Sequence, residues 1–171
     1  MSIKISLLAA ISADGKIAER ADQLSTDWTS KDDTRFFVEK TKAAGVVIMG
    51  RKTFETIGKQ LKGRLLVVMT RDAADKQMQE GVLEYTSKSP AEIVKTLASR
   101  GYTEAILAGG ASVYSEFLRA GLVNELYLTV EPVLFGGGVP LAEGFGRMNL
   151  ELMDMSRLGE GGVLLYYRVI K

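Results

Sequence analysis

Apolar positions along this chain fall into short blocks set between polar stretches. Three blocks, residues 3–11, 46–49 and 65–69, are nearly continuous in Val, Ile, Leu and small residues. That pattern predicts strands buried on both faces, as in a parallel sheet. Between the second and third, Gly50-Arg51-Lys52-Thr53 opens a helix carrying Phe54 and Ile57, with Gly58 as its C-cap. A polar turn with Lys59, Lys62 and Arg64 follows. Such a strand-helix-strand unit joins parallel strands.

The rest of the pattern extends this plan. Ser12 to Lys16 read as a turn with Gly15 at positive φ, and residues 18–27 as a polar loop ending at the single tryptophan, Trp28. Thr29 or Ser30 is the N-cap of a helix that ends at Gly45 and places Asp33, Phe36, Phe37 and Lys40 on one side. Residues 72–80 read as a loop and 82–85 as a short strand. Ser89-Pro90-Ala91-Glu92 starts a helix that runs to Ser99. Residues 105–108 are strand-like, and Gly109-Gly110-Ala111-Ser112 leads into a helix over 113–120. A strand over 126–130 is followed by a glycine-rich connection, 131–140, with little regular structure. Residues 150–158 and 163–170 predict a closing antiparallel pair. The expected class is α/β: one mostly parallel central sheet, an antiparallel C-terminal strand pair, and helices on both faces.

Composition narrows the function. With 171 residues and no linker or repeat, one domain over 1–171 is expected. A net charge of +1 gives no global field for nucleic acid or a membrane surface, so any anion site must be local. No apolar run is long enough to span a bilayer, and the N-terminal one is too short for a good signal peptide, so a cytoplasmic location is expected. The chain has no Cys and no His. That excludes disulfides, thiolate chemistry, His-ligated metals and Ser-His-Asp triads, and no metal site is expected. Protons must then move through a carboxylate, Tyr, Lys or water.

Two places carry candidate chemistry. In a parallel unit both strand ends and the helix start lie on one sheet edge, where Gly50, Arg51, Lys52, Thr53, Thr70 and Arg71 can converge with free amide N–H groups. This is either a phosphate socket or a solvated basic helix start. Gly109-Gly110 is a second strand-glycine-helix junction, or a tight turn. Asp33, on the phenylalanine side of its helix, is either a first-turn stabiliser or a carboxylate aimed into a pocket; Asp32 better suits the first role.

The ordered set of these segments resembles the dihydrofolate reductase superfamily, which includes dihydrofolate reductase and the reductase domain of the riboflavin-pathway deaminase-reductase. ISLLAAISADGKIA is similar to the first strand and the flexible loop beside the nicotinamide. Trp28, Asp33 and Phe37 match the active-site helix, MGRKTFETIG the cofactor motif, Gly63-Arg64 the arginine that holds the folate tail, and LAGGASVY the second phosphate junction, where the family joins Gly109 and Gly110 by a cis peptide. YLT ends at Thr129, matching the threonine bonded to the catalytic acid. SADGKIA and PVLFGGGVPL are closer to the riboflavin reductase pattern, and Asp27 stands where dihydrofolate reductases usually have Pro before the tryptophan.

The resemblance implies NADPH as cofactor and hydride transfer to a C=N bond, foremost dihydrofolate to tetrahydrofolate. The alternatives are 5-amino-6-(5-phosphoribosylamino)uracil reduction in the riboflavin pathway, or a non-catalytic nucleotide-binding module. It assigns catalysis to Asp33, Thr129 and Trp28, and substrate binding to Leu8, Ala9, Phe37, Ile57 and Arg64. Cofactor contacts fall to Ala10, Ile17, Gly50, Arg51, Lys52, Thr53, Thr70, Arg71, Ala108, Gly109, Gly110, Ala111, Ser112, Val113 and Tyr114. The expected partner is a small molecule, with no nucleic acid and no membrane, and the protein a monomer or homodimer.

Overall fold

The computed structural model describes residues 2–57 and 61–171. The expected C-cap Gly58 and the candidate anion partner Lys59 lie outside the described residues. Strands β1 (Lys4–Ser12), β3 (Val46–Gly50), β4 (Leu65–Met69), β5 (Leu83–Thr86), β6 (Glu104–Leu107), β7 (Glu125–Glu131), β9 (Asn149–Leu158) and β10 (Gly162–Ile170) form one sheet. Its order is β5-β4-β3-β6-β1-β7-β10-β9. The pairs from β5 through β7 are all parallel, and β10 runs antiparallel to both β7 and β9. β1 is central, held by β6 and β7, which is why its sequence is apolar on both faces.

Among the described residues, four helices cover the sheet: α1 (Lys31–Ala44), α2 (Arg51–Ile57), α3 (Pro90–Ser99) and α4 (Ala111–Arg119). Ile93 and Leu97 of α3 and Val113, Phe117 and Leu118 of α4 pack on Ile5, Leu7, Ile48 and Leu107. On the opposite face Phe54 and Ile57 of α2 pack against Val47, Met49, Leu66 and Val68, while Phe36 and Phe37 of α1 pack near Leu8, Ile106 and Tyr127. Alternation along each strand therefore feeds two helical layers. Complete burial of a side chain such as Phe117 is worth about 1.5–3 kcal/mol.

Local signals set the boundaries. Ser30 caps α1 by accepting from Asp33 N at 3.2 Å, and Gly45 ends it at φ 77°. Ser89 and Glu92 form a capping box, with Pro90 in the first turn.

The structure corrects the sequence reading in two connections. Lys16–Ala18 (β2) and Val139–Pro140 (β8) form a small antiparallel ribbon where loops were expected. Strands of two or three residues carry no readable period; tertiary pairing makes them. Gly138 allows the close approach: its φ is +113°, and a Cβ there would collide with the Ala18 carbonyl. The ribbon is stapled by Asp14, which accepts from Phe135 N at 3.1 Å, Gly136 N at 2.8 Å and Ser12 Oγ at 2.6 Å. These bonds pull the Asp14 carboxyl down to about 2, the Ser12 hydroxyl contributing most. Second, β7 extends to Glu131, which the sequence assigned to the glycine-rich connection. Among the described residues, no helix is long and apolar enough to cross a membrane.

Candidate active site

A cavity of about 1280 Å³ opens along the edge where the parallel strands end. Single small-molecule pockets usually hold about 300–1,000 Å³, so this one has room for two ligands side by side. Its lining groups by element. Leu8, Ala9 and Ala10 come from β1, Ile17 from β2, and Gly50 from the end of β3. Arg51, Lys52 and Thr53 follow at the start of α2, and Thr70 and Arg71 just beyond β4. Ala108, Gly109 and Gly110 leave β6, and Ala111, Ser112, Val113 and Tyr114 begin α4. Asp33 and Phe37 of α1, Ile57 of α2 and Arg64 complete it. Thus the sequence candidates converge on one cavity with two exceptions. Trp28 packs edge-on against Phe135 at 5.0 Å, and Thr129 is buried within β7; neither borders the cavity.

The glycine junction is built for close backbone approach. Gly109 and Gly110 are joined by a cis peptide, Gly109 has φ +108°, and Gly50 N donates to Gly109 O at 2.9 Å. A Cβ on Gly110 would lie 3.3 Å from Thr53 Oγ1, so Thr53 and the junction already pack closely. The start of α4 presents free N–H groups there, with Gly110 as N-cap. Among the described residues α2 spans Arg51–Ile57. The same cavity is lined by Lys52, Arg71 and Lys88, none of them ion-paired among the described residues, and by Arg51, which has only a 3.8 Å contact to Glu55. This donor set fits an anionic dinucleotide: cations and hydroxyls for phosphate, and glycine backbone at the narrow point.

Sequence reasoning missed several lining residues. Thr86, Ser87 and Lys88 reach the cavity from the end of β5, a strand too short to fix where its end would fall. Asp72, next to Arg71 in the stretch read as a loop, also borders the cavity. Gln23, Ser25, Thr26 and Thr29 form a polar rim from the supposed loop, part of which is a 3-10 turn, Ser25–Asp27. Only the order of polar and turn residues could have flagged them.

Asp33 is half-buried. Burial raises its carboxyl above the ordinary range, the Thr129 hydroxyl offsets part of the rise, and the negative charge of Glu131 adds to it. Among the described residues, neither Thr129 Oγ1 nor Trp28 Nε1 has a partner within hydrogen-bond distance. Two orphaned buried polar atoms in this neighbourhood leave hydrogen-bonding capacity for a bound group or water. Tyr114 is buried, donates to Leu8 O at 2.6 Å, and is held well above the ordinary tyrosine range by burial.

Arg64 is 8% exposed, so it is no surface ion-pair residue. Its Nη1 donates to Thr41 Oγ1 at 2.8 Å and its Nε to Lys62 O at 3.2 Å. Among the described residues no carboxylate lies within ion-pair reach, and burial pushes the guanidinium below its ordinary range. A buried cation bordering a cavity with neutral partners alone leaves charge that an anion could balance.

The family model for dihydrofolate reductase matches residues 4–137. The chain is 36% identical over 136 residues to dihydrofolate reductase type A13 of Escherichia coli, covering 76% of this chain and 75% of that one. It is 27% identical over 158 residues to the riboflavin biosynthesis protein RibD of Mycobacterium tuberculosis, covering 82% of this chain but only 45% of that protein. A putative riboflavin biosynthesis protein from Shewanella shares the fold over the whole of both chains, with a TM-score of 0.83 at 19% identity. So does dihydrofolate reductase from Enterococcus faecalis, solved with NADP(H), with a TM-score of 0.71 at 21% identity, again over both whole chains. On the family match, the chain belongs to the dihydrofolate reductase family, whose members are oxidoreductases.

Proposed function

We propose that residues 1–171 form one NADPH-dependent reductase that moves hydride to a C=N bond of a pterin or aminopyrimidine ring, with dihydrofolate as the foremost substrate. The observation that carries this reading is the pairing of a half-buried Asp33, its carboxyl raised by burial, with a buried Arg64 that has no counter-ion among the described residues, both on one cavity. Arg51, Lys52, Arg71 and Lys88 would hold the phosphates, with the Gly109-Gly110 junction and the start of α4. The reduced nicotinamide supplies the hydride when bound. The protein's own part is to place the ring against Asp33 through paired charge-assisted hydrogen bonds and to keep a proton there for the ring nitrogen. Phe37, Ile57 and Leu8 wall the ring and its tail away from water.

A second reading keeps the cofactor and changes the substrate to the ribosylaminopyrimidine phosphate. It is favoured by the polar rim of Gln23, Ser25, Thr26 and Thr29, which suits a sugar, and by the glycine run stapled to Asp14. Turnover of each substrate, followed by loss of reduced-nicotinamide absorbance, separates the two. Reduction of dihydrofolate alone supports the first reading; reduction of the sugar phosphate alone replaces it with the second.

The cofactor reading carries its own expected result. Arg71→Ala should raise KM for NADPH by about 10-fold, the value of one charge-assisted bond, and KM for NADH far less. Asp72 beside Arg71 is the group that could serve a free ribose hydroxyl instead. Equal rates with both cofactors in the unmutated protein would count against a 2′-phosphate site.

A further inference from the structure

One buried acid in this neighbourhood has no part in the scheme above. Glu131 ends β7 and is 4% exposed. Its Oε1 accepts from Ser30 N at 2.8 Å, and Ser30 Oγ in turn accepts from Asp33 N at 3.2 Å. Two hydrogen bonds therefore link Glu131 to the backbone of Asp33. The alignment is regular. Tyr127, Thr129 and Glu131 share one face of β7 by strand alternation, and Phe36, Asp33 and Ser30 meet them in helical steps of three: Phe36 on Tyr127 with ring centroids 6.0 Å apart, Asp33 by Thr129, Ser30 bonded to Glu131. The β9–β10 turn closes over this corner. A Cβ on Gly162 would lie 3.6 Å from Glu131 Oε2, and one on Gly159 would lie 2.6 Å from Asp32 Oδ2.

We propose that Glu131 is a positioning residue for Asp33, its buried carboxylate tying the first turn of α1 to the end of β7 and setting a second negative charge beside the Asp33 carboxyl. The bond to Ser30 N does not by itself need a charge, since an amide oxygen would accept it equally well. A buried carboxylate with one neutral donor is costly, and stability alone gives no reason for it. What the charge adds is a field at Asp33. The other groups facing Asp33 do not supply it. On β7, Thr129 is neutral; on α4, Tyr114 stays neutral; on α1, Asp32 is engaged by Arg35 at 3.2 Å. The β9–β10 turn contributes exposed Glu160, and β6 contributes the apolar Ile106. A like charge beside Asp33 makes its proton harder to lose, the same direction in which burial moves that carboxyl.

This deepens the reading of Asp33 as the site's acid, and its test does not depend on turnover. The carboxyl carbon of Asp33 is followed by carbon-13 NMR against pH in wild type, Glu131→Gln and Glu131→Met, with Asp33→Asn assigning its signal. Glu131→Gln should keep the wild-type melting temperature, through the retained Ser30 bond, and lower the Asp33 midpoint by about half a unit or more. Glu131→Met, of similar volume, removes the same charge and should lower the Asp33 midpoint by a similar amount, which gives a readout even where Glu131→Gln fails to fold. In turnover with dihydrofolate and NADPH, the alkaline limb of the Glu131→Gln profile should move down by the same shift. Midpoints that stay put in both variants would overturn the proposal. A shifted Asp33 midpoint in a protein that reduces neither substrate would keep Glu131 as the positioning residue and remove the proposed reaction instead.

Discussion

Replacing Asp33 with Asn should cut turnover by about 100-fold or more while leaving the protein folded. The amide keeps the size of the side chain and one acceptor oxygen, but it can neither hold nor deliver the proton, and it loses the charge that pairs with a protonated ring. Asp32→Asn is the control, since Asp32 is committed to Arg35 on the outer side of α1. The pH profile carries the same mechanism. Burial raises the Asp33 carboxyl, so the wild-type rate should fall as pH rises through that raised value, and Asp33→Asn should lack this limb. Stability runs in parallel. A carboxyl whose folded pKa lies above its unfolded one contributes stability below the unfolded value, and that contribution is lost as pH rises through the folded one. At neutral pH, therefore, Asp33→Asn should melt no lower than wild type, and a gain there that vanishes in acid would show that the half-buried charge is kept for function. Near-normal turnover in Asp33→Asn would place the chemistry elsewhere.

What could be read from the sequence follows from how local each signal is. β1, β3 and β4 were legible because strands buried on both faces must be apolar throughout, and their blocks end where the sheet edge begins. α3 was legible to its boundaries because Ser89, Pro90 and Glu92 write its start within four residues. The cavity lining at the ends of β3 and β6 was largely legible for the same reason: strand end, glycine and helix start are adjacent in the chain. Long-range features were not. The β2–β8 ribbon exists only because Asp14 and Gly138 let segments far apart in sequence meet. Glu131 reads as a loop acid until the bond from Ser30, 101 residues away, shows it buried at the end of β7. The tight burial of Arg64 was hidden in the same way, since a basic residue after Gly63 looks like surface until Thr41 is found against it.

Arg64→Ala should raise KM for dihydrofolate by about 10-fold or more, the equivalent of about 1.4 kcal/mol, with a much smaller change in kcat. The reason lies along α1. Asp33, Phe37 and Thr41 stand four residues apart on one side of the helix, and Arg64 is bonded to the last of them at 2.8 Å. At about 1.5 Å per residue, the eight residues from Asp33 to Thr41 set the two ends about 12 Å apart, with Phe37 midway. A ligand that engages both ends needs a polar ring at one, an extended apolar middle and an anion at the other, which describes a pterin with an acidic tail better than a single ring with a sugar phosphate. Alanine at position 64 removes the anion's partner and one donor to Lys62 O, while Thr41 Oγ1 still donates to Phe37 O at 2.7 Å. The contact is remote from the reacting bond and nearly equal in ground and transition states, so KM moves and kcat does not. Lysine should rescue poorly, since a point charge cannot reproduce a forked, two-bond grip on a carboxylate. A dihydropterin without the tail should be reduced equally by Arg64→Ala and wild type. Unchanged dihydrofolate kinetics in Arg64→Ala, together with impaired turnover of the ribosylaminopyrimidine phosphate, would turn Arg64 into a phosphate ligand and make the sugar phosphate the substrate.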